Sequence, residues 1–159
     1  MKQLWAPWRL AYVQEAGAAD GCVFCREAAG ELGENSLVVH RGERTLALLN
    51  KFPYASGHLM VAPRRHVATL GELTFEEAAE IHAVTVQAIE TLSAVYAPEG
   101  FNVGWNLGAI AGGSISAHLH QHVVPRWAGD TNFMPVLADV KVLPEHLEAT
   151  RACLGEAWR

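Results

Sequence analysis

The chain has 159 residues, is 50% hydrophobic and carries a formal charge of −5. That length suits one packed core and is short for two domains. Its Lys and Arg residues form no stripe that would mark a nucleic-acid-binding protein, and no apolar run is long enough to span a bilayer.

The opening residues, Met1 to Arg9, lack the continuous apolar stretch of a secretory signal, so the expected location is cytoplasmic. Next comes Cys22-Val23-Phe24-Cys25, a spacing that in a reducing compartment points to metal or redox chemistry rather than a structural disulfide. The pair precedes a hairpin instead of joining a strand to a helix, which disfavours a thioredoxin-like role. A structural zinc would need two further ligands, and spacing alone does not choose them among eight histidines.

Residues 36–40 and 45–49 read as a hairpin, and 58–62 as a further strand entered through Pro53-Tyr54-Ala55-Ser56-Gly57. Thr74-Phe75-Glu76-Glu77 is a capping box that opens a long helix. Ile81, Val84, Ala88, Leu92 and Val95 keep to one face of it, and Pro98-Glu99-Gly100 ends it. Residues 101–105 read as a strand, 106–116 as a glycine-rich loop and 117–124 as a last strand. Pro144-Glu145 begins a second helix that runs to about Trp158, with Cys153 as a small buried hydrophobe. This order predicts an α+β fold: one domain over 1–159, an antiparallel sheet with a long helix and a C-terminal helix packed on it.

The last strand carries His118, His120 and His122. Alternate residues of a strand share a face, about 6.5–7 Å apart. Imidazole titrates near neutrality, so three together can attack, move protons or bind metal. The preceding loop contains Gly108, Gly113, Ser114 and Ser116, which can bring N–H and hydroxyl donors close to an anion.

Read together, these segments resemble the histidine triad (HIT) superfamily of nucleotide hydrolases and transferases. The resemblance rests on Cys22-x-x-Cys25, Leu48-Leu49-Asn50, Gly57-His58 through Pro63-x-x-His66, Gly100-Phe101-Asn102, Asn106-x-Gly108 and the three histidines. Trp5-Ala6-Pro7-Trp8-Arg9 and residues 124–136 are similar to the branch that contains diadenosine tetraphosphate phosphorylases. A loop one residue longer than in the commonest HIT hydrolases agrees with that branch.

The resemblance implies the following roles. His120 is the nucleophile that forms a nucleotidyl-histidine, His122 contacts phosphoryl oxygens, and His118 supports the strand and, with Cys22, Cys25 and His66, ligates a structural zinc. Asn50 contacts ribose, His58 lies near the nucleophile, and Asn106 with Gly108, Gly113, Ser114 and Ser116 binds phosphate. Arg126, just after the histidine strand, is the better phosphate candidate than Arg64 or Arg65. A homodimer is implied as well.

Three functions fit. The first is cleavage of dinucleoside polyphosphates through His120, with inorganic phosphate as acceptor giving ADP and ATP; water, acting on the same substrates or on nucleoside phosphoramidates, is the alternative acceptor. The second is a hydrolase with one catalytic zinc on all three histidines. The third is a nucleotide-binding module without turnover. Gln121 occupies a position that the family fills with an apolar residue, so it should meet a polar partner on a helix or in a dimer interface. His40, His82 and His146 read as surface or satisfied core residues.

Overall fold

The computed structural model describes residues 21–111, 118–130 and 145–159. Trp5, Trp8, Gly113, Ser114, Ser116, Pro144 and the whole of the 131–136 segment fall outside them. A single antiparallel sheet of β1 (Val38–Arg41), β2 (Thr45–Leu49), β3 (Leu59–Pro63), β4 (Gly100–Trp105) and β5 (Gln121–Arg126) runs in the order β1-β2-β3-β5-β4. Among the described residues, helices α1 (Val23–Ala29), α2 (Phe75–Tyr96) and α3 (Leu147–Ala157) join the sheet in an α+β fold.

Helix α2 starts where the capping box places it: the Thr74 side chain accepts from the Glu77 N–H, and the Glu77 carboxylate accepts from the Thr74 N–H. Ile81, Val84, Ala88 and Leu92 bury against Ala47, Leu49, Leu59, Val61 and Val123 of the sheet, with Leu154 of α3. The helix stops at Ala97, held at a left-handed φ of 46° before Pro98. That conformation costs roughly 1 kcal/mol for a residue with a Cβ. On the opposite face α1 lays Phe24 over Val38, Leu46, Leu48, Met60 and Ala62. Covered on both sides, β2 and β3 are buried at every position, so they read as continuous apolar runs.

Several boundaries differ from expectation. The histidine strand begins at Gln121 rather than 117: β3–β5 pairing covers only Val61↔Gln121 to Leu59↔Val123, and the Leu119 N–H turns to the Val67 carbonyl. Only His122 therefore lies in the strand, and His118 and His120 lead into it. The first strand starts at Val38, because the N–H of Leu37 is taken by Glu27. Helix α3 begins at Leu147, and Cys153 on it is exposed rather than buried. Gln121 finds its partner on a helix, accepting from the Thr85 hydroxyl of α2.

Candidate active site and metal centre

The face under α1 carries the site. Register sets Leu48, Met60, His122 and Gly104 side by side across four strands, with Asn50, His58, Val124 and Asn102 as the next row. His58, His118 and His120 are all buried, and Asn50 with them. Phe24 brackets the group, its ring 4.9 Å from both the His118 and His120 rings.

Hydrogen bonds fix the state of each imidazole. His120 donates from Nδ1 to the carbonyl of His118 at 2.7 Å, so Nε2 keeps its lone pair. Burial holds the His120 pKa below its ordinary value, which keeps that lone pair at neutral pH. His58 accepts at Nδ1 from the Tyr54 N–H, 3.0 Å away, and so carries its proton on Nε2. It donates that proton to His122 Nδ1 at 2.9 Å. His122 in turn must present an Nε2–H; the Asn106 side-chain nitrogen 3.2 Å away is also a donor, so the carboxamide has to turn its oxygen to that N–H to accept it. Burial, then the proximity of His120, lowers the His122 pKa to about 4, so it is a neutral donor. The arrangement therefore pairs a bare imidazole nitrogen with an N–H donor on adjacent rings whose centroids are 4.9 Å apart.

His118 faces the other way. Its Nε2 donates to the Pro63 carbonyl at 2.8 Å, which leaves the Nδ1 lone pair 3.1 Å from Cys22 Sγ, 3.2 Å from His66 Nδ1 and 3.7 Å from Cys25 Sγ. All four donor atoms lie within 4.8 Å of one another. A tetrahedral zinc with bonds of about 2.0–2.3 Å sets its ligands roughly 3.3–3.8 Å apart. Burial and the neighbouring Cys22 push the Cys25 thiol up, and a bound cation would offset that by taking the thiolate as its ligand. The donor set fits a closed metal site that ties α1 to the segment entering β5.

Among the nucleotide-binding candidates, the Asn50 side-chain oxygen accepts the Phe52 N–H and shapes the turn toward His58. Gly108 sits at φ 85°, a conformation that favours glycine, and ends the segment beyond Asn106. Arg126 borders a cavity of about 440 Å³ shared with His122, Asn106, Tyr54 and Asp130. Sequence reading missed Tyr54, whose ring lies 4.7 Å from that of His58, and the bracketing role of Phe24. Strand alternation from Asn106 back through Gly104 to Asn102 would have pointed to the cavity floor. Arg65 is spent on Glu77, and His40 stacks on Trp158 at 5.0 Å.

The fold and site define a histidine triad protein, and residues 32–129 match the HIT domain family: the chain belongs to it. It is 44% identical to the "AP-4-A phosphorylase" of Mycobacterium tuberculosis over 165 aligned residues, 99% of this chain and 85% of that protein. It is 31% identical to an adenosine 5'-monophosphoramidase of Schizosaccharomyces pombe, covering 66% of this chain and 74% of that one. A zinc-bound histidine triad family protein from Mycobacterium smegmatis superposes with a TM-score of 0.70 at 26% identity, over 87% of this chain and 93% of the other.

Proposed function

We propose that this HIT-family enzyme cleaves dinucleoside polyphosphates, with diadenosine tetraphosphate as substrate and inorganic phosphate as acceptor. One observation carries the reading: His120 spends Nδ1–H on the His118 carbonyl and keeps Nε2 free, beside the neutral donor His122. Nε2 forms a bond to the α-phosphorus while the bond to the bridging oxygen breaks. The leaving ATP takes that electron pair, and the positive charge that develops on His120 is met by the carbonyl at its Nδ1–H. An oxygen of inorganic phosphate then bonds to the same phosphorus, the P–N electron pair returns to Nε2, and ADP departs. Two such displacements are each easier than one direct exchange. The His122 Nε2–H and the Asn106 side chain steady the phosphoryl oxygens as charge accumulates. Asn50 contacts ribose on this reading, and Gly108, Gly113, Ser114, Ser116 and Arg126 contact phosphates.

Cys22, Cys25, His66 and His118 would hold a structural zinc, which fixes α1 and the carbonyl that orients His120. A catalytic zinc on the three histidines is disfavoured, because His118 directs its lone pair at the cysteines and both His118 Nε2 and His120 Nδ1 are spent on carbonyls. No helix among the described residues is long and apolar enough to cross a membrane, and unpaired thiols suit the cytoplasm.

The test is incubation with diadenosine tetraphosphate with and without inorganic phosphate. Phosphate should accelerate cleavage and give ADP and ATP. AMP and ATP at a rate indifferent to phosphate would make the protein a hydrolase, and no turnover would leave a binding module. His120→Ala should abolish turnover while retaining fold and metal content, because the imidazole acts in the chemical step alone.

A further inference from the structure

Helix α1 covers one face of the sheet over β1 to β3, and among the described residues no element covers the same face over β5 and β4. The floor there is Gly104, paired with His122 across the β5–β4 ladder. A Cβ built at Gly104 would meet no heavy atom of the described residues within 4 Å, and its φ is not in the left-handed region. The backbone thus makes no demand for glycine, and the missing side chain leaves space beside the donor histidine. A glycine inside a strand often marks a place where a ligand comes close.

At the far end of that space stands Arg126, its backbone four residues and about 13 Å beyond that of His122 on the same strand face, its guanidinium bonded to Asn102 in the row of Val124, one row beyond His122. Its guanidinium is clamped: Nε and Nη2 donate to Asp130, and Nη1 donates to Asn102. Of its five N–H donors, these contacts among the described residues leave one on each Nη to donate to phosphate oxygens. The Asp130 carboxylate cancels most of the charge that would attract any small anion, while holding the fork still.

From this geometry we infer that the open half of the face, floored by Gly104 and closed by Arg126, binds the leaving half of a dinucleoside polyphosphate, meaning the phosphates and nucleoside beyond the scissile bond. The inference rests on the function proposed above and adds to it the residues that select a long substrate over a short one. A nucleoside monophosphate reaches His122 and ends there. Only a chain that continues past the cleaved bond reaches Arg126. Free phosphate acting as acceptor must lie in line with the P–N bond, next to His122, and therefore short of Arg126.

The test measures equilibrium binding by calorimetry in the His120→Ala protein, where no turnover intervenes. Gly104→Leu fills open space, so the thermal midpoint should hold while diadenosine tetraphosphate affinity falls at least about tenfold and AMP affinity changes less than about threefold. Arg126→Ala should produce the same selective loss, and should leave the affinity for inorganic phosphate within about threefold. Equal losses for AMP and tetraphosphate, or no loss in either variant, would overturn the inference. Loss of inorganic phosphate binding in Arg126→Ala matching that of the tetraphosphate would assign Arg126 to the acceptor and overturn it too. Failure of the proposed function appears separately, as wild-type protein that binds the tetraphosphate without cleaving it.

Discussion

His122 is held neutral at a position where water would let it charge, and that makes stability depend on pH. Its pKa falls from 6.5 to about 4 on folding, from burial first and from His120 second. The unfolded chain then binds more protons between these values, so this contribution is complete above pH 6.5 and is lost as pH falls toward 4. For a half-buried ring, solvent screening brings it to on the order of 2 kcal/mol. The thermal midpoint of the wild type should fall more steeply from pH 6.5 to 4 than that of His122→Asn, and parallel slopes would refute the assignment. The identity of such residues was readable from the spacing of His118, His120 and His122 and from Asn106. Their tautomers were not, because the deciding partners are backbone groups: Pro63 and Tyr54, brought in from elsewhere by the fold, and His118 itself, whose carbonyl meets His120 only through the local turn. Tyr54 and Gly104 also escaped notice, since their roles exist only through neighbours on other elements.

At the scale of elements, α1 is the part most in need of explanation. Seven residues are too few for a helix to stand alone in water. It is pinned by Phe24 in the core and by Glu27, whose carboxylate accepts from the Ser36 hydroxyl and the Leu37 N–H, and a metal in the four-donor cluster at its start would add a third tie. Removing zinc with a chelator, or replacing Cys22→Ser or His66→Ala, should lower the thermal midpoint and speed amide exchange in 23–29 at least about tenfold, with α2 nearly unchanged. Uniform loss of protection, or zinc-loaded protein in both variants, would count against the clamp. Helix α2 and strands β2 and β3 were legible because their signals are local: a capping box, one apolar face, short continuous apolar runs. The start of β5 was not, because alternation of histidines looks the same in a strand and in the extended segment before it. Only pairing tells them apart, and β3 withdraws its partners after Val61. Cys153 was misjudged for a similar reason: helical position alone did not say which face of α3 meets the sheet.

At the scale of the whole molecule, β4 is the strand that the fold leaves at an edge. Its inner side pairs with β5, and among the described residues no strand pairs with its outer side. Edge strands of soluble proteins are usually guarded by charges, proline or bulges. Gly-Phe-Asn-Val-Gly-Trp has none of these, is six residues long and exposes Val103. An unguarded edge of this kind invites the same strand of a second copy, running antiparallel about a two-fold axis. Such pairing would extend the sheet across both chains and set two open half-faces beside each other, each next to its own His122. The expected particle in solution therefore has twice the 17.3 kDa mass of the chain, measured by light scattering at micromolar concentration. Val103→Lys puts a charge in the middle of that edge and should shift the particle toward the single-chain mass, while the buried core and the Cys22, Cys25, His66 and His118 cluster, to which Val103 does not belong, stay intact. Wild-type protein that is monomeric throughout this range would rule the pairing out. A dimer untouched by the lysine would place the interface on another surface.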